Sequence, residues 1–200
     1  MTELIPDNSH RLAHRVGQVL HPYLIPIPTL LLVLNDYPPG EVLAWSLLVL
    51  VLVLLPGIGL AYVFERKGKP IYRRHNRGPI YGVGWVSVLV CVLVLLAFDA
   101  PRVLIASVGT LAVWLPVQML VNAAFTKIST HMAVIAGCFA GVWYLDKVET
   151  IWLATVMVAL IVLTGWARIV TKNHTPLQVV LGVVVGAGSV LVAFPLLLGT

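Results

Sequence analysis

From Val42 to Phe64 the chain runs through 23 residues without one charged side chain. A helix of that length is about 34 Å long, enough to cross the ~30 Å hydrocarbon core of a bilayer. Inside that core no water satisfies the backbone, so a crossing segment has to be helical or part of a closed barrel. The run is one of seven candidate crossings, at roughly 18–34, 41–64, 81–98, 101–122, 131–146, 150–168 and 176–198. Pro22, Pro26 and Pro28 interrupt the first, and the fifth is short. Charged residues make up 10% of the chain, against about 25% in a soluble domain. The expected fold is therefore an all-α integral membrane protein, a bundle of six or seven transmembrane helices.

No linker or soluble domain interrupts the pattern, so residues 1–200 read as a single membrane domain: segment 1–17, then a bundle over 18–198. The first segment begins polar and lacks the early apolar stretch of a secretory signal. Leu12, Val16, Val19 and Leu20 recur at helical spacing opposite Arg11, His14 and Arg15. That pattern predicts an amphipathic helix at the membrane surface. Gly137/Gly141 and Gly182/Gly186 form small-xxx-small pairs suited to close helix packing. Cys91 and Cys138 lie within apolar runs and read as small hydrophobes.

The crossings sort their connections onto two faces. Short polar breaks at 35–41, 98–102 and 146–150 fall on one, together with the C-terminus. The N-terminus and the loops 65–79, 122–131 and 168–178 fall on the other. The second face carries a net charge of +8 and the first −3, which together give the chain's +5. By the positive-inside rule the basic face is expected in the cytoplasm and the protein in the cell (inner) membrane.

That basic face has arginines, lysines, hydroxyls and the histidines His75, His131 and His174, with few carboxylates. A magnesium-dependent lipid transferase needs several carboxylates near its phosphates, and only Glu65 lies among these loops. His10 and His14 have the spacing of metal ligands, but on an amphipathic surface helix they read as solvated. No metal and no cofactor is expected, and nothing suggests nucleic acid as a partner. A cation-rich, carboxylate-poor pocket suits phosphate, which arginine holds through parallel hydrogen bonds. His131 and His174 also precede apolar runs, where free helix N-terminal amides favour an anion. One neutral imidazole can attack phosphorus while a second protonates the departing oxygen.

With these residues in place the chain resembles the type 2 phosphatidic acid phosphatases (PAP2), which share an active-site plan with vanadium haloperoxidases. The family carries three motifs on one membrane face, roughly K-x6-R-P, P-S-G-H and S-R-x5-H-x3-D. Here "ISTH" (128–131) matches the second through Ser129 and His131, with Ile128 and Thr130 replacing proline and glycine. "ARIVTKNHTPLQ" (167–178) matches the third through Arg168 and His174; Ala167 replaces serine and Gln178 replaces aspartate. For the first, Lys67 and Arg74 keep the spacing without the proline, whereas Arg77 stands near one, so the register lies between Arg74 and Arg77. The resemblance covers about residues 65–185.

It implies a PAP2-like bundle in which His174 is the nucleophile and forms a phosphohistidine, and His131 is the general acid. Lys67, Arg74 or Arg77, and Arg168 would hold the phosphate with Ser129. Lys127 joins this set by position alone. Gln178 has two readings that can coexist. One is orientation of His174 in place of the family's aspartate, and the other is a Thr-x-x-Gln capping box with Thr175. The expected function is a metal-independent phosphatase for a lipid phosphate or diphosphate of the phosphatidic acid, phosphatidylglycerol phosphate or polyprenyl class. A lipid phosphotransferase using the same histidine is one alternative. A non-catalytic bundle that binds anionic lipid head groups is the other. A transporter fits less well, since internal repeats and mid-membrane charges are not evident in the sequence.

Overall fold

The computed structural model describes residues 8–68 and 77–199, with only the backbone of Arg77. Arg74 and His75 lie outside the described residues. All regular structure among the described residues is helical. Five runs are long and apolar enough to cross a membrane: Pro39–Arg66, Gly78–Ala97, Arg102–Ala124, Ile151–Val170 and Pro176–Leu198. The chain is thus an all-α, multi-pass membrane protein by the length and composition of its helices.

α1 (Asn8–Val19) is followed by a turn and by the short α2 (Pro26–Val33). The expected crossing at 18–34, interrupted by its prolines, is therefore split into two elements. Pro22 and Pro26 explain the break, because neither can donate a backbone hydrogen bond back into a preceding turn. α3 (Pro39–Val49) and α4 (Leu55–Arg66) form one continuous run through a π-helical turn at Leu50–Leu54. Pro56 cannot donate to the Leu52 carbonyl, and the wider turn makes room for its ring. α5 (Arg77–Ala97), α6 (Arg102–Ala124), α7 (Thr130–Tyr144), α8 (Ile151–Val170) and α9 (Pro176–Leu198) follow.

α7 and α9 form the tightest pair. A Cβ on Gly186 would lie 2.0 Å from the Ala133 carbonyl oxygen, and one on Gly182 would lie 2.7 Å from that of Ser129. Gly137 meets Gly186 from the other side. Both expected glycine pairs therefore sit in this packing, with Gly141 against Phe194.

The two faces inferred from the loops are separate ends of the bundle. Asp36, Tyr37, Asp146 and Glu149 line one cavity with Val103, which brings two of the hairpin breaks together beside the first turn of α6. Lys147 donates to Asn35 at 2.8 Å and pairs with Asp36 across it. At the other end the ring of His21 stands 5.5 Å from that of His131, edge to face. The segment from His21 to Asp36 thus runs beside α7 for its whole length. α7 has 15 residues, about 22 Å, which is shorter than the usual hydrocarbon core.

Candidate active site

Three local features bring the second and third motifs together. Ser129 is the N-cap of α7, its Oγ accepting from the Met132 amide at 3.5 Å. Its own amide donates to the Gln178 carbonyl at 3.2 Å, which ties the loop before α7 to the start of α9. Lys172 adopts φ 54°, and that left-handed residue reverses the chain after α8. The amides of Asn173 and His174 then both bond the Arg168 carbonyl at 3.2 Å. His174 is thereby fixed beside the last turn of α8.

Arg168 is 8% exposed, and its Nη1 lies 3.4 Å from His131 Nε2. A guanidinium can only donate, so Nε2 is the acceptor and the neutral ring carries its proton on Nδ1. The His131 ring also hydrogen-bonds the Gly17 backbone and lies within charge-interaction range of His174. The Arg168 Nε is buried and without a hydrogen-bond partner among the described residues. The ion pair found among those residues, Lys147–Asp36, is at the opposite end. A buried cation without a carboxylate partner is costly, so an anion bound there would be strongly stabilising.

Gln178 contacts both His174 and the N-cap of α9. Its Oε1 lies 3.2 Å from His174 Nδ1 and accepts from the Thr175 amide at 3.2 Å. The Thr175 hydroxyl accepts from the Gln178 amide at 3.4 Å, which completes the capping box. Its side-chain nitrogen donates to Thr126 Oγ1 at 3.0 Å. Because a carbonyl oxygen accepts, His174 Nδ1 donates, and in the neutral ring Nε2 carries the lone pair.

The remaining residues expected from sequence are distributed unevenly. Ser129 is fully buried, with its hydroxyl engaged as a cap. Lys127 is half-buried in the same loop. Lys67 is exposed at the C-terminus of α4. Arg77 opens α5. Lys67 is thus the one residue of the first motif whose side chain falls among the described residues.

Sequence reasoning missed two groups. Gly17 and His21, from the α1–α2 corner, cover His131 and Arg168. A Cβ on Gly17 would stand 1.6 Å from Arg168 Nη2. The spacing of the buried Ala13 and Gly17 on α1 was the available signal. The second is Gln118, fully buried on α6, which donates to Tyr81 Oη at 3.1 Å and Thr130 Oγ1 at 2.9 Å. Gln118 lies six residues before the end of α6, so α7 starts about 9 Å below that end. The site is recessed into the bundle. Comparison with protein-family models, curated proteins and solved structures found no match to this chain.

Proposed function

We propose that this protein is a metal-independent phosphatase of the PAP2 type, acting on a lipid phosphate or diphosphate at the basic face of the membrane. The observation that carries the reading is the buried Arg168 guanidinium, without a carboxylate partner among the described residues, set against His131 and close to His174. His174 Nε2 attacks phosphorus, forming a P–N bond as the P–O bond to the lipid breaks. A lipid phosphate monoanion inserted between Arg168 and His131 passes its proton to His131 Nε2, which hands it to the leaving lipid oxygen as the P–O bond breaks. His131 then takes a proton from water as that water displaces inorganic phosphate from His174. Arg168 holds equatorial oxygens through charge build-up, with Lys67, Arg74 or Arg77, Lys127 and the Ser129 region as further donors. Gln178 holds the His174 tautomer.

The positive-inside argument puts this face in the cytoplasm and the protein in the cell (inner) membrane. A lipid phosphotransferase would use the same intermediate with an alcohol in place of water. One observation favours a non-catalytic binding role: Gly17 and His21 pack directly on His131. Phosphate release from a lipid phosphate in detergent with EDTA separates the readings. Release that disappears in both His174→Ala and His131→Ala supports the enzyme. Equal release from the variants and the parent rejects this site.

A further inference from the structure

Beside the site, α8 and α9 splay apart. α9 packs along α6 and α7, and α8 packs against α1, but the two touch each other only sparsely. The gap between them is an apolar groove of about 350 Å³, open along its outer side. Its inner end adjoins the proposed chemistry. Met132 follows His131, Gly165 and Ile169 flank Arg168, and Val179 follows Gln178. From Ile169 to Ile161 the groove extends along α8 for about 12 Å, away from the site.

We infer that this groove holds the hydrocarbon of a single-chain lipid phosphate, isoprenoid or alkyl, whose first carbon is bonded directly to the phosphate oxygen. The inference rests on the proposed phosphate site and narrows its substrate class. Three observations carry it. The lining residues next in sequence to His131, Arg168 and Gln178 are Met132, Ile169 and Val179, all apolar, so the lining supplies no polar stretch for a glycerol linker. Trp166 is the sole lining side chain that carries a nitrogen or oxygen. The two ester groups of a diacylglycerol phosphate would find the Trp166 N–H as the single side-chain donor of this lining, and unpaired polar groups are penalised there. The outer rim, formed by Val162, Val180 and Val184, is exposed, so a chain longer than the groove passes directly into the surrounding bilayer.

The test uses the full chain in phosphatidylcholine nanodiscs with farnesyl phosphate, dioleoyl phosphatidic acid and phenyl phosphate. The expected kcat/KM for farnesyl phosphate is at least tenfold above that for dioleoyl phosphatidic acid. Val162→Trp displaces at least two methylenes and lowers the farnesyl-to-phenyl ratio of kcat/KM about tenfold. Val158→Trp, also exposed on α8 but outside the groove, leaves that ratio unchanged. Equal effects of the two tryptophans, or preference for the diacyl lipid, would overturn the inference. A farnesyl phosphonate with a diazirine on its chain separates this from the phosphatase reading, because it needs no turnover. Adducts on 161–169 and 179–184 that farnesyl phosphate competes away support the groove even in a protein that releases no phosphate. Adducts scattered over the lipid-facing surface, or not competed, mean ordinary bilayer contact and overturn it.

Discussion

Gln178 Oε1 stands 3.2 Å from His174 Nδ1 while the same oxygen closes the capping box of α9. One side chain therefore anchors a helix start and fixes an imidazole. Gln178→Leu removes both functions. The expected stability loss is about 1 kcal/mol, and phosphate release is expected to fall on the order of ten- to a hundredfold. Gln178→Glu keeps the cap and adds a charge that stabilises the cationic ring formed on attack, so release is expected to rise. Steady-state release and thermal unfolding of both variants check this. A Glu variant no better than the Leu variant would leave the contact purely structural.

Gly17 and Arg168 give a prediction in which stability and activity move in opposite directions. An added methyl at Gly17 meets the far end of the arginine, 1.6 Å from Nη2, so the guanidinium yields before α1 does. Alanine also favours the helix by up to about 1 kcal/mol over glycine. Gly17→Ala should therefore keep or raise the Tm while weakening inhibition by vanadate, a mimic of five-coordinate phosphorus, about tenfold. Vanadate titration beside a melt in detergent decides it. A lowered Tm with unchanged vanadate affinity would place Gly17 in packing alone.

Two glycines of α9 should respond with opposite signs. A Cβ on Gly186 would meet the Ala133 carbonyl at 2.0 Å, and backbone there cannot swing aside. Gly186→Ala is expected to cost ~1–3 kcal/mol as overpacking. Gly188 faces open space, and Gly188→Ala should be neutral or stabilising by up to about 1 kcal/mol. Thermal unfolding of the pair in one detergent measures the difference.

The proposed orientation rests on the charge of the two ends. With the basic face inside, a reporter active only in the cytoplasm stays silent when fused to the C-terminus, and one active only outside works. The reverse pattern would turn the site toward the outer surface.

Much of this arrangement was legible from local pattern. Hairpin breaks at 35–41, 98–102 and 146–150 predicted one polar end, and the cavity bounded by Asp36, Val103 and Glu149 is that end. Loop order likewise predicted that Arg168, His131 and His174 share the other. Two features were not legible. The prolines that interrupt the first crossing stand in the sequence, but its reach across the bundle shows only in its contacts with His131 of α7 and with Lys147 beyond it. Gly17 and His21 act through a tertiary contact between distant segments, and no local periodicity marks which histidine a surface helix will cover. The loop with Arg74 lies outside the described residues, so the first motif stands as sequence alone.

The most direct measurement is rapid-quench trapping with a ³²P-labelled lipid phosphate, followed by phosphopeptide mapping in the presence of EDTA. The account predicts an acid-labile, alkali-stable label on the peptide containing His174, lost in His174→Ala. Phosphate release with no such label, or with the label on another residue, would contradict it.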